Sequence, residues 1–377
     1  MAAEQVNAEG GVLGRNFTVV AEDDDGEAVA MDIVVASNAL TKLITVDKAD
    51  YIVAPQTINA IAFQDICAEQ KKIYFSVYTV QEELTQRVLD NYDKYKYFFR
   101  VWSQNTTSLS DSMVESLITL RNYTGFNKVA YISSDITSNR LYISALSKSL
   151  TSHDFEVVYG VMYPPGTTDF ASYFANIEAS GAQILIPFVT MPVGIPFTKE
   201  WCTRESPCLI WGTLSIAAEP DFWNVTDGKG EYVSFSGLPI VSGYPLTGKT
   251  IPTREAYVQR WGSTPKTPAV ATYDIVRFIL PDAIKRAGTT ETEVVIKALE
   301  TTNVETSMTK HFAFTSSHDV FVGATESNKP AEDYFLWEFQ WQDGIQVPVY
   351  PKEIMENAGA TYKYPSWNGP WSQKQTP

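Results

Sequence analysis

The residues able to do covalent or metal chemistry are few and poorly spaced for it. Three histidines occur, His153, His311 and His318. Two lie in Ser-His-Asp tripeptides, Ser152-His153-Asp154 and Ser317-His318-Asp319. A catalytic triad draws its members from separate elements, and contiguous residues do not. No His/Cys cluster has the spacing of a metal site, and neither GxxxxGK[ST] nor a strand–GxGxxG–helix pattern is present. The acid run Glu22 to Asp25 could hold a cation, but a run of this kind at a strand end reads more readily as solvated charge. These residues point away from an enzyme and call for no metal and no cofactor.

Hydroxyls, amides and aromatics do gather where strands are expected to end. Gln56, Thr57 and Asn59 follow an apolar run from Tyr51 and open a helix. Helix-terminal N–H groups beside a Thr hydroxyl suit a carboxylate or carbonyl. A plain N-cap at Thr57 or Asn59 is an equal reading, and both can hold. Tyr78 and Thr79 close the next strand, and Asn139 and Arg140 follow another. Thr190 ends the strand at Val189, and Trp211 with Thr213 ends the one after. A cleft lined in this way holds a small polar ligand by hydrogen bonds and stacking, without a nucleophile or base.

The elements that must position these groups alternate along the chain. Ala49–Pro55, Ile73–Thr79, Tyr97–Trp102, Lys128–Asp135, Phe155–Tyr163, Ala182–Thr190 and Cys208–Thr213 are strand-like. Between several of them stand amphipathic helices: Asn59–Gln70, Ser108–Asn122 with Met113, Leu117 and Leu120 on one face, Arg140–Leu150, and Asp169–Ala179 with Phe170, Tyr173, Phe174 and Ile177 inward. Apolar strands without alternation, separated by helices, mean parallel sheets buried on both faces. The fold class is therefore α/β and doubly wound. Later helices are expected over Arg254–Trp261, Ala269–Arg286 and Glu291–Thr301, and Asp343-Gly344 marks a hairpin turn.

The start is a separate puzzle. Met1–Asn7 reads as a helix that breaks at Gly10 and Gly11 and runs into a β-prone stretch, Phe17–Ala21, with no strand before it. The chain has 377 residues, a soft prior for two domains, and a net charge of −15 that argues against a nucleic-acid partner. The most apolar stretch, Ala182–Phe197, holds Pro187, Pro192 and Pro196 and cannot be one straight spanning helix. The N-terminus lacks a basic region and an apolar signal core. Cys202 and Cys208 bracket a short loop that could close a disulfide, and Cys67 is left as a buried apolar residue. Four Asn-x-Ser/Thr triplets, at Asn16, Asn105, Asn122 and Asn224, weakly favour an exported protein.

In order and spacing, VNAEGGVLGRNFTVVAEDDDGE (Val6–Glu27), FSVYTVQEELTQR (Phe75–Arg87), YFFRVW, KVAYISSD, the Thr167–Phe170 stretch and ATYDIVRFILPDAIKRAG (Ala271–Gly288) resemble the type I periplasmic-binding-protein family, in its leucine/isoleucine/valine-binding branch. The likeness runs to about Tyr350. It implies two Rossmann-like lobes joined by a multi-strand hinge, with 1–103 and 244–330 in one lobe, 104–239 and 331–350 in the other, a crossing at 240–243 and a tail over 351–377. It further implies an extracytoplasmic solute receptor of an ABC importer, a monomer without catalytic residues that closes on a small solute and is read by a membrane permease. A ligand-sensing receptor domain of the same fold is the alternative. The expected location is periplasmic or extracellular, with or without a membrane tether. The family's first strand, the first half of its first helix and any signal segment are missing, which reads as a truncated start.

The resemblance also assigns roles. It puts a carboxylate grip at Thr57 and a second contact at Thr79, with Val80 where a Thr is usual. It matches Asn139, Thr190 and the Trp211–Thr213 strand end to the other lobe. Amino-acid binders tend to hold the ammonium with an acid near Thr213, and none stands between Trp211 and Ala218. An unpaired buried ammonium is costly, so an amide, a urea-like compound, a carboxylate or an aromatic acid fits as well. Asp274 could serve an ammonium, or be a solvated helix-face residue.

Overall fold

Buried apolar runs become two separate sets of parallel strands. The computed structural model describes residues 1–24, 33–54, 59–77, 79–102, 105–189, 193–321 and 337–372. The chain divides into unit 1, Met1–Thr106 with Pro245–Val322, and unit 2, Thr107–Tyr244 with Gly323–Pro377. The stretch 351–377, read in the sequence as a tail, belongs to unit 2.

Unit 1 holds β1 (Tyr51–Ala54), β2 (Ile73–Val77) and β3 (Phe98–Trp102), all parallel in the order β1-β2-β3. Every residue of β2 is buried, as a strand covered on both faces must be. Tyr74 meets Phe98 edge-on with ring centres 5.5 Å apart. The helix Ile33–Thr45 buries Ala36, Leu40 and Ile44, one residue per turn along a single stripe. The helix Ala2–Ala8 stops before Gly10 and Gly11, both at positive φ, and a Cβ on Gly11 would stand 2.1 Å from the Arg15 carbonyl oxygen.

Two expectations for unit 1 are corrected. Phe17–Ala21 is not a strand. Phe17 is held by the Asn7 side chain, whose Nδ2 donates to its carbonyl at 2.8 Å and whose Oδ1 accepts from its N–H at 2.7 Å. Val19 is 71% exposed. β propensity makes a strand only beside another strand, and no described strand pairs with this run. The helix expected over Ala269–Arg286 is not continuous α-helix: a π-helical turn, Ile275–Ile279, separates Thr267–Asp274 from Leu280–Ala287. Pro281 has no N–H and its ring would strike the carbonyl of Arg277 in an α-helix, and the wider turn relieves that clash.

Unit 2 holds β4 (Lys128–Ser134), β5 (Glu156–Tyr163), β6 (Ile184–Val189), β7 (Leu209–Ile210) and β8 (Thr213–Leu214). They form a parallel sheet in the order β5-β4-β6-β7, with β8 also on β6. What the sequence read as one strand over Cys208–Thr213 is split at Gly212, whose φ is +146°. The helix Thr106–Thr124 lays Met113, Leu117 and Leu120 into the core. Phe170, Phe174 and Phe197 form an aromatic cluster, with Phe197 ring centres 5.5 and 5.1 Å from the other two. An antiparallel ribbon of β9 (Ser234–Gly237), β10 (Trp337–Gln342) and β11 (Ile345–Tyr350) turns at Asp343-Gly344. Trp337, Phe339 and Trp341 of β10 stack in a row with Phe235, and Glu338, Gln340 and Gln342 alternate with them in the sequence, yet all six are buried. The two amides are covered from the C-terminal stretch: Gln340 Nε2 donates to the Lys363 carbonyl at 2.9 Å, and Gln342 Nε2 to that of Thr361 at 2.7 Å. Trp371 completes this closure, fully buried in the main core of unit 2.

Candidate functional site

Of the nine residues singled out for binding, Gln56, Thr57, Tyr78 and Thr190 lie outside the described residues. The other five divide between the units.

In unit 1, Asn59 occupies the N-cap position of the helix Ala60–Glu69 and is fully buried. Its carbonyl accepts from Phe63 N–H at 2.9 Å, but its side chain does not cap the helix. Neither atom of that amide has a hydrogen-bond partner among the described residues. Buried amides are normally satisfied, so this one is conspicuous beside Gln56 and Thr57 in the chain.

Thr79 also lies in unit 1, and its side chain faces inward. Its Oγ1 is 2.9 Å from Ser76 Oγ and 3.3 Å from Arg100 Nη1. A ligand meeting this loop would touch its backbone or the half-buried Val80, rather than the Thr79 hydroxyl. The loop rests on Arg100, a fully buried guanidinium in the middle of β3. Nη1 donates to the Thr79 carbonyl and Nη2 to that of Gln81 at 2.7 Å. Nε stands 2.8 Å from Asp319 Oδ1. Burial lowers the Arg100 pKa from its ordinary value, and the Asp319 carboxylate opposes that shift. Sequence reasoning missed Arg100, although a cation inside the apolar run YFFRVW was a visible signal: a charge there needs a buried counter-ion.

In unit 2, Asn139 is buried in the first turn of the helix Thr137–Ser152. Its Nδ2 donates to Ser134 Oγ at 2.8 Å and to Ser133 Oγ at 3.1 Å, tying the end of β4 to the helix. Trp211 is a core residue and not an exposed stacking surface: it is fully buried, and its Nε1 donates to Ser116 Oγ at 2.9 Å. Thr213 is half-buried on β8, paired in register with Phe188 of β6. Phe188, itself half-buried, packs on Tyr142 with ring centres 4.6 Å apart. Thr213 and Phe188 are therefore adjacent and partly open at the carboxyl ends of the strands, where doubly wound sheets take ligands. Asp135 follows β4 and pairs with Arg140, Nε to Oδ1 2.6 Å, Asp135 half-buried and Arg140 exposed.

Other sequence signals resolve structurally. Ser317-His318-Asp319 does not form a triad. Ser317 Oγ pairs with Thr315 Oγ1 at 2.8 Å, His318 Nδ1 donates to the Phe98 carbonyl at 2.9 Å, and Asp319 faces Arg100. Burial lowers the His318 pKa, and its ring lies flat on Phe99 with centres 4.2 Å apart. Asp274 is fully buried, so the solvated-face reading fails. It accepts from Ser307 Oγ at 2.7 Å and Ser307 N–H at 3.1 Å, and burial pushes its carboxyl up to about 7 against those bonds. Cys202 and Cys208 are free thiols, so the disulfide that their spacing left open is not formed. Among the described residues no His, Cys, Asp and Glu cluster could hold a metal ion, and no helix is long and apolar enough to cross a membrane.

Two α/β units of interleaved chain segments, each built on a parallel sheet, define a two-unit doubly wound class of fold. The profile described as periplasmic binding protein matches residues 1–325, and the chain belongs to that family. It is 22% identical to Leu/Ile/Val-binding protein homolog 7 of Brucella abortus, over 93% of this chain and 85% of that protein. Its fold is shared with a protein from Silicibacter pomeroyi assigned by name to branched-chain amino acid ABC transport, at a TM-score of 0.84 and 18% identity over 98% of this chain and 93% of that one. It is also shared with an ABC transporter solute-binding protein of R. palustris solved in complex with benzoate, at a TM-score of 0.69 and 17% identity over 92% of this chain and 89% of that one. The fold is thus that of type I periplasmic binding proteins.

Proposed function

We propose that this protein is the extracytoplasmic receptor of an ABC importer, that it captures a small solute with a carboxylate or amide head by closure of its two units, and that it hands the solute unchanged to a membrane permease. The observation that carries this reading is the family match along residues 1–325. The chemistry of the strand ends supports it. The described residues there are an amide at Asn59 with no partner among the described residues, a half-buried hydroxyl at Thr213 and an aromatic at Phe188. Groups of this kind bind and orient, and no nucleophile–base pair stands among them.

The ligand class follows from charge. The relatives' names point to branched-chain amino acids and a structural neighbour holds benzoate, and these ligands share a carboxylate. No acid lies between Trp211 and Ala218 to balance an ammonium. Asp274 is buried and engaged with Ser307, and Asp135 is engaged with Arg140. A monocarboxylate or amide without a second charge is the best fit. The test is a melting-temperature and calorimetry panel of benzoate, isovalerate and isobutyramide beside L-leucine, L-isoleucine and L-valine. A compound without an ammonium, at a hundredfold excess over its Kd, stabilises the protein by about 2.7 kcal/mol and is recovered intact. A flat panel, or conversion of the bound compound, overturns the reading.

A further inference from the structure

The Arg100 guanidinium does more than fill space in β3, because every direction of its fork ends on a group that matters for position. Two of its nitrogens donate to the Thr79 and Gln81 carbonyls, the loop that follows β2. The third faces Asp319, and Asn105 Nδ2 donates to the other oxygen of that carboxylate at 3.0 Å. Asn105 immediately precedes Thr106, where unit 1 gives way to unit 2, and Asp319 stands shortly before Val322, where the chain leaves unit 1 again. The same loop is stitched to the first of these points directly. Thr106 N–H donates to the Val80 carbonyl at 3.0 Å, and Thr106 Oγ1 to Glu82 Oε1 at 3.0 Å.

We propose that Arg100 is the positioning residue of the 79–82 loop and that Asp319 and Asn105 connect it, through Arg100, to two of the chain's passages between units. This rests on the solute-receptor reading for its purpose, since the loop is where a solute would meet unit 1, but not for its geometry. Loop carbonyls drawn inward onto the guanidinium turn the intervening peptide N–H groups away from it. A planar fork is required for this: one lysine ammonium cannot reach both carbonyls and the carboxylate in the same geometry. A buried ion pair that served only for stability could be replaced by apolar side chains of similar size without loss. A positioning pair could not, because the carbonyls of Thr79 and Gln81 would lose their donors.

The experiment compares the full-length wild type with Arg100→Lys and with the double variant Arg100→Met/Asp319→Leu. Amide hydrogen exchange is followed at Thr106, whose N–H is held by the Val80 carbonyl of the loop, and over β2 and β3, and Kd is measured for L-leucine and for benzoate. The expected result is at least tenfold faster exchange at Thr106 in both variants with β2 and β3 unchanged. For whichever probe binds the wild type, Kd rises at least tenfold while the double variant melts within a few degrees of wild type. Unchanged exchange at Thr106 overturns the proposal, as does faster exchange with Kd within twofold of wild type. If neither probe binds the wild type, the chosen ligand class fails, and the exchange data alone decide the role of Arg100. Arg100→Lys keeps the charge, so the comparison survives if the double variant does not fold.

Discussion

Arg100 on β3 and Glu338 on β10 are both fully buried, and the two units treat them in opposite ways. Arg100 has the Asp319 carboxylate 2.8 Å from Nε and backbone carbonyls on Nη1 and Nη2, so its charge has a counter-ion although Nε itself makes no aligned hydrogen bond among the described residues. Glu338 has one hydroxyl: Ser236 Oγ donates to its Oε1 at 2.7 Å, and Oε2 has no partner among the described residues. Burial pushes the Glu338 carboxyl well above its ordinary range, and the Ser236 bond opposes this only in part. Burial alone does not decide whether a group keeps its charge. The neighbouring donors and acceptors decide it: unit 1 gives its buried cation a counter-ion, whereas unit 2 leaves its buried acid biased toward the protonated form.

The largest effect should come from breaking the ion pair on one side. Asp319→Ala leaves Arg100 buried without its counter-ion, and urea unfolding should register a loss of about 3–5 kcal/mol. If Glu338→Ala costs as much, the contrast is wrong, because a neutral acid with one hydroxyl partner has less to lose. Next comes the amide cover on the same face of β10. Gln340→Leu strips the Lys363 N–H and the Tyr232 and Lys363 carbonyls of their partner, for about 1–3 kcal/mol and faster proteolysis near residues 361–372.

A smaller and sharper effect is in the pH profile. Glu338 and Asp274 hold protons in the folded state that the unfolded chain releases at about pH 4. The folded state therefore binds more protons, and stability falls as pH rises through the window between the two values, which for Asp274 closes at about 7. Each such carboxyl contributes up to about 1.4 kcal/mol per pH unit within its window. Glu338→Gln cannot release that proton, so urea midpoints between pH 4.5 and 7.5 should fall less steeply than in wild type. An unaltered slope would mean that Glu338 is already ionised in the fold. The smallest effect is the outer reference. Arg140→Ala removes an exposed partner of Asp135, and its midpoint should match wild type within error.

Much of the fold could be read from the sequence because its signals are local. Met113, Leu117 and Leu120 share a helical stripe whatever lies beyond it, and IYFSV is too apolar to be anything but a covered strand. The failures are all non-local. Phe17–Ala21 has strand chemistry without a neighbouring strand, and whether a neighbour exists is not written in the run itself. Asp274 looks like a helix-face acid until Ser307, far along the chain, closes over it. For the candidate site, the sequence located strand ends but not the direction of their side chains. Trp211 and Thr213 flank Gly212, and its positive φ lets one be core while the other stays partly open. Thr79 turns inward because a guanidinium 21 residues later draws its loop down, which spacing cannot reveal.

The burial of Trp371 in the main core of unit 2 bears on how the molecule is made. Unit 2 opens at Thr107, but Val349, Tyr350, Met355 and Trp371 are all needed to finish it, whereas unit 1 has its last residue at Val322. Synthesis from the N-terminus therefore completes the first half while the second still waits with aromatic surface uncovered. The vulnerable species during biogenesis is a chain made beyond Val322 but not yet through Trp371, and truncation between those points would leave a product prone to stick to others of its kind.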